Sequence, residues 1–188
     1  MVHCVHALFL GAARSSVGGP GLRRLRTGLV ARMAAAPRTG VLDWLRLAVL
    51  ALDSDWLLAA GEISVAAAEA LRLGDLGLSE RLGRAAVAAG GGFDALLPLA
   101  YALAWQGRGR EADAVLGAID PAALTEPELM AWALPQAANQ FWMLSEPERA
   151  TAFLRATRGR VSSSRARVTL DALSATFHGR DLFAVIAA

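Results

Sequence analysis

The chain has 188 residues, 55% of them apolar, with six Phe and five Trp, enough to bury a sizeable core and too apolar to stay disordered. All 19 basic residues are Arg, so a Walker A phosphate loop, which needs Lys on the terminal phosphates, is excluded. The net charge of +2 hides a division, because residues 1–42 hold six Arg and no acid, which leaves −4 for the remainder.

Cys4 is the only cysteine, so no intrachain disulfide forms and a reducing, cytoplasmic setting is expected. Residues 1–13 are apolar, but no basic segment precedes them and the run is too short to span a bilayer. An Arg-rich, acid-poor start also fits an organelle transit peptide, and against that stands an ordinary basic surface helix. Ser15-Ser16-Val17-Gly18-Gly19-Pro20 signals a loop, after which residues 22–36 read as a helix with Leu22, Leu25, Leu29 and Met33 on one face. Residues 41–52 read as a second helix with Trp44, Leu45, Ala48 and Leu52 inward, broken by Asp53-Ser54-Asp55; Asp43 and Arg46 argue against a membrane segment there.

From Trp56 the pattern becomes a series of helical hairpins. The first runs out to about Leu73 and returns over residues 78–89, and Gly90-Gly91-Gly92 ends it. Asp94 is placed to cap the next helix and Pro98 to fall in its first turn. In that helix Leu96, Leu97, Leu99, Ala100, Leu103 and Ala104 share one side; Gly107-Arg108-Gly109 ends it, and the returning helix buries Ala112, Val115, Leu116 and Ile119. Thr125-Glu126-Pro127-Glu128 and Ser145-Glu146-Pro147-Glu148 both fit a Ser/Thr-x-x-Glu capping box with Pro in the opening turn, and Pro135 predicts a kink. Residues 158–164 form the next loop and 165–177 the next helix.

The hairpin repeats. Small residues stand seven before and five after each turn: Ala67 and Ser79 about Gly74, Ala100 and Ala112 about Gly107, Ala138 and Ala150 about Ser145, Ala172 and Ala184 about Gly179. The turns follow one another at 33, 38 and 34 residues. Two crossing helices demand small side chains at such positions, because bulk there forces the backbones apart at a cost of about 1 to 3 kcal/mol. The expected fold is therefore all-α, a tetratricopeptide-like solenoid of antiparallel helix pairs in a right-handed superhelix. A basic segment, 1–40, precedes the repeat region 41–188, whose last repeat is incomplete.

Motifs for chemistry are sparse. His3, His6 and His178 are the only histidines, and none accompanies an acid and a nucleophile, so no enzyme and no cofactor are expected. His3, Cys4 and His6 form one His-Cys-x-His cluster without a second ligand group, so no metal is expected. Gly107-x-Gly109-x-x-Ala112 matches a dinucleotide-binding fingerprint by letter, but an Ala-rich helix leads into it where that fingerprint requires a strand, so it reads as a structural turn. The arginines of residues 22–33 and 155–167 lack interleaved aromatics and read as solvated faces, not as a DNA-binding surface. Trp105, Phe141 and Trp142, at hairpin ends, read as wedges between repeats.

The segment Leu71-Arg72-Leu73-Gly74-Asp75-Leu76-Gly77-Leu78-Ser79-Glu80-Arg81-Leu82, followed by residues 100–111, resembles the middle region of the large ATP-binding LuxR-type transcriptional regulators of the MalT-like kind. His6-Ala7-Leu8-Phe9 and the Arg-rich helix after it resemble the segment closing that family's winged-helix portion, with Ala7 and Phe9 where the family has Pro and Tyr. The resemblance implies a truncated, noncatalytic scaffold or sensor, without the phosphate loop or the helix-turn-helix, that takes a small effector or protein segment in its repeat groove, self-associates, and neither binds DNA directly nor enters a membrane. The alternative is a free-standing adaptor for protein-protein interaction. No partner-binding residue is singled out by the sequence.

Overall fold

The structure is a computed structural model that describes the backbone of residues 7–36 and 40–186 and the side chains of residues 18–36 and 40–177. Among these residues the fold is all-α, without a strand: α1 (Ala7–Ala35), α2 (Val41–Leu52), α3 (Ala60–Arg72), α4 (Leu76–Ala88), α5 (Phe93–Trp105), α6 (Gly109–Gly117), α7 (Glu126–Ala138), α8 (Pro147–Arg158) and α9 (Ser164–Ile186). No helix among the described residues is long and apolar enough to cross a membrane.

Each helix packs on the next, and α3 also packs on α5, so the helices follow one another in space as in sequence. The turns explain why. Gly74, Gly90 and Gly107 have φ of 81°, 85° and 78°, a left-handed conformation that only Gly adopts without strain. Each closes its helix with the same pair of bonds, as at the first turn, where the Gly74 amide donates to Leu71 O at 2.9 Å and the Asp75 amide to Ala70 O at 3.0 Å. With the orphan carbonyls satisfied, the chain reverses within a few residues, and α4 starts with the Asp75 carboxylate accepting from the Leu78 amide at 3.0 Å.

Small residues then set the crossings. Ala67, Ser79, Ala100, Ala112 and Ala150 are buried, and Ser79 Oγ donates to Ala67 O at 2.9 Å across the first hairpin. The core is correspondingly a succession of clusters. Val30, Leu47 and Ala51 join α1 to α2; Leu45, Ile63, Ala67, Leu82 and Ala95 join α2 to α5; Leu99, Leu103 and Ala112 close the second hairpin; Leu116, Trp132, Leu154, Leu170 and Phe177 fill the C-terminal part.

Several expectations need correcting. α9 runs unbroken through Gly179, so no fourth hairpin turn exists there; Ala172 is exposed, Ala138 is half-buried, and the side chain of Ala184 lies outside the described residues. In α1 the expected loop contracts to a single break at Gly18 (φ 66°). Leu25 and Leu29 face outward, 62% and 48% exposed, while Val30 is fully buried. The helix is turned because Arg23 Nε pairs with Asp55 at 2.6 Å, Arg26 approaches Asp53, and the Asp55 amide donates to the Thr27 hydroxyl at 3.0 Å, which draws the polar face inward onto the end of α2. Asp94 makes no capping bond, and Gly92 holds that position; Pro98 lies in the second turn of α5. The Thr125 amide does donate to Glu128, at 2.8 Å, but the box at Ser145 is not formed, and Ser145 instead takes a left-handed φ of 57°.

Candidate functional site

The chain packs closely on itself at Gly109, where the Gly107 turn meets the end of the third outgoing helix. Gly107 lets α5 stop and α6 begin two residues later, with the Arg108 amide bonded to Leu103 O at 2.9 Å. A Cβ on Gly109 would stand 2.6 Å from Met143 Cβ, so only a hydrogen fits between α6 and the segment opposite. Thus both glycines of the apparent dinucleotide fingerprint serve backbone geometry, and a helix, α5, leads into them.

The opposing segment is a π-turn, Asn139–Met143, that continues α7. It closes one residue wider than the glycine turns, through a bond from the Glu146 amide to Gln140 O at 2.9 Å, and Ser145 supplies the left-handed residue that Gly74 and Gly107 supply elsewhere. Gln136, Asn139 and Gln140, at three- and four-residue spacing, share one buried face. The Asn139 amide donates to Gly109 O at 2.9 Å and the Gln136 amide to Asp113 at 2.8 Å, so two side chains of this face hold residues four apart on α6. The side-chain carbonyl oxygens of Gln136, Asn139 and Gln140 accept no hydrogen bond from the described residues, which makes this face rich in acceptors.

Charge surrounds the junction. Arg108 donates to Glu80 on α4 at 2.7 and 2.8 Å and to Glu111 on α6 at 2.7 Å, while Arg84 reaches both carboxylates. The hydrogen bond from Arg108 holds the Glu80 carboxyl below its ordinary range, against an opposing push from burial, with Arg84 and Gln106 assisting. Arg108 in turn also holds Glu111 low, and the two carboxylates raise the Arg108 guanidinium further. The motif recurs one hairpin on: Asp113, like Glu80 six residues after its turn, pairs with Arg149 at 2.9 Å. A cleft of about 370 Å³ opens beside this network, lined by residues 107–111, Met143 and Leu144.

The aromatic expectations divide. Phe141 stacks on Phe177 at 4.1 Å and Trp142 meets the same ring edge-on at 5.2 Å, so both wedge α9 against the π-turn. Trp105 makes no ring contact among the described residues and is 69% exposed. Arg72, Trp105 and Met143, each two residues before a left-handed turn residue, are all exposed, a shared register already present in the sequence repeat. Of the basic stretches, Arg23, Arg26 and Arg158 pair with Asp55, Asp53 and Asp171, and Arg167 donates to Val161 O at 3.0 Å. The side chains of His3, Cys4, His6 and His178 lie outside the described residues.

No protein-family model, no curated protein and no solved structure matches the chain.

Proposed function

We propose that this protein is a noncatalytic, tetratricopeptide-like helical-repeat scaffold that docks a protein segment along the ends of its outgoing helices. The observation that carries the reading is the recurrence, at Gly74, Gly107 and Ser145, of a left-handed turn residue with an exposed side chain two residues before it. Repetition of that kind makes an extended edge, and extended edges suit linear segments better than compact substrates. Trp105 and Met143 give the edge large, soft anchors, and Arg108 and Glu111 stand beside Met143 along the cleft.

Selection of a displayed random-peptide library on the purified chain tests this. A peptide family whose affinity falls at least about tenfold in Trp105→Ala supports the reading. Failure to enrich any family, or binding indifferent to Trp105→Ala and Met143→Ala, overturns it. Trp105 is exposed, so its removal leaves the packing in place.

The narrower reading, a piece of a LuxR-type regulator, rests on the residues that carry that resemblance. Sequencing the DNA that flanks the reading frame tests it: an upstream phosphate loop and a downstream helix-turn-helix support it, and their absence in every frame counts against it.

A further inference from the structure

The π-turn holds its shape against its own local preferences. The Leu144 amide donates to Asn139 O at 3.0 Å, and the Glu146 amide reaches back six residues to Gln140 O, where the matching bonds from Asp75 to Ala70 and from Arg108 to Leu103 reach back five. One residue more than a regular turn needs is therefore wound into the end of α7. Ser145 then takes a φ of 57°, a left-handed conformation that Gly74 and Gly107 adopt without strain and that a side chain opposes.

The interior is strained in a second way. Gln136, Asn139 and Gln140 are 4%, 3% and 2% exposed, and their side-chain oxygens accept no hydrogen bond from the described residues. Two of the three belong to the π-turn itself. Nor is there slack across from it, since a methyl on Gly109 would stand 2.6 Å from Met143 Cβ. Tertiary contacts hold the turn in this form: the Asn139 amide donates to Gly109 O at 2.9 Å, and the Phe141 and Trp142 rings lie against Phe177 of α9. Local strain set against tertiary contact is the balance from which two-state elements are made.

We propose that the π-turn is a conformational switch whose second state is α-helical. In that state the extra residue passes out of the helix into the turn before α8. The Leu144 amide moves from Asn139 O to Gln140 O, which gives up the Glu146 amide, and the longer turn no longer requires a left-handed Ser145. Phe141, Trp142 and Met143 rotate about the helix axis, so the rings leave Phe177 and Met143 leaves Gly109. The switch thus ties the hold on α9 to the face that Met143 presents.

The test follows the free full chain by NMR relaxation dispersion and saturation transfer, so its outcome does not depend on a docked segment. The expected result is exchange at one common rate in residues 140–146 and in α9 around Phe177, with a minor state of about 0.1 to 10%. In that minor state Trp142 and Phe177 lose the ring-current shifts of their contact, while α3 and α4 show no exchange. Ser145→Gly, which relieves the closed state, should lower the minor population at least about threefold, and Gly109→Ala, whose methyl displaces Met143, should raise it at least about threefold. A π-turn without exchange, exchange at a rate that α9 does not share, or a population that Ser145→Gly leaves unchanged or raises overturns the proposal. A folded Gly109→Ala chain with an unchanged population overturns it too, and if that variant does not fold, Ser145→Gly decides alone.

Discussion

The Glu126 carboxylate joins two distant turns of the chain: it accepts from the Ser162 amide at 2.7 Å, the Ser162 hydroxyl at 2.6 Å and the Ser163 amide at 3.2 Å, so the start of α7 caps the approach to α9. These donors, the Ser162 hydroxyl foremost, pull its carboxyl from the ordinary 4.5 down to about 2. A folded value below the unfolded one means that the stabilisation is fully present above pH 4.5 and is lost as the pH falls toward 2. Tm measured between those limits should fall more steeply in the native chain than in Glu126→Gln, and parallel curves would show that the contact does not persist in solution. Gly109 makes the complementary steric case. Gly109→Ala forces α6 and the π-turn apart and should cost about 1 to 3 kcal/mol in urea unfolding. Gly28→Ala, on an exposed face of α1 with nothing within 4 Å of the new methyl, should instead gain about 0.5 to 1 kcal/mol. If both substitutions behave alike, helix propensity and not the contact with Met143 decides the outcome at Gly109.

For the single helix and its neighbour, the question is which side chains stand where two backbones cross. Ala112 is fully buried in α6, so Ala112→Trp should lower stability by about 1 to 3 kcal/mol or prevent folding. Ala172 holds the matching place in the sequence repeat but is exposed on α9, so Ala172→Trp should stay within about 0.5 kcal/mol of the native chain. Equal effects would mean that α9 buries the other face. The contrast shows what the sequence could convey. Apolar spacing and glycine placed α2 to α8 within a few residues, because capping, left-handed turns and core-facing periodicity are local and leave local traces. A glycine permits a turn without compelling one. It costs a helix only about 1 kcal/mol, and at Gly179 the helix continues regardless. The face of α1 escapes its apolar period for another reason, since the partners that turn it, Asp53 and Asp55, stand 27 and 32 residues from Arg26 and Arg23 and no period points to them. The site was less legible still. Gln136, Asn139 and Gln140 read as ordinary polar residues after a proline, and only the π-turn makes them a buried face against Gly109.

The described residues form several buried clusters and not one centre, and that governs how the molecule should come apart. Its buried clusters succeed one another along the chain, so the expected behaviour is opening that begins at one joint before the rest. One joint is marked by geometry. α3, α4 and α5 pack on one another as a trio, whereas α6, packed on α5, meets the C-terminal helices through the close approach of Gly109 to the π-turn, the Asn139 bond to Gly109, and the Gln136–Asp113 and Trp132–Leu116 bonds from α7. Between α6 and α7 the chain makes a short 3-10 turn at Pro121–Ala123 in place of a tight reversal. Loosening that joint should therefore free the C-terminal helices before the rest. In native-state hydrogen exchange, Gly109→Ala should speed exchange of the amides of α7 and α8 while leaving those of α3 and α4 near their native rates. A uniform acceleration across all helices would instead mean that the chain unfolds as one cooperative body, and the chain-order succession of clusters would then describe packing alone and not the units in which the protein opens.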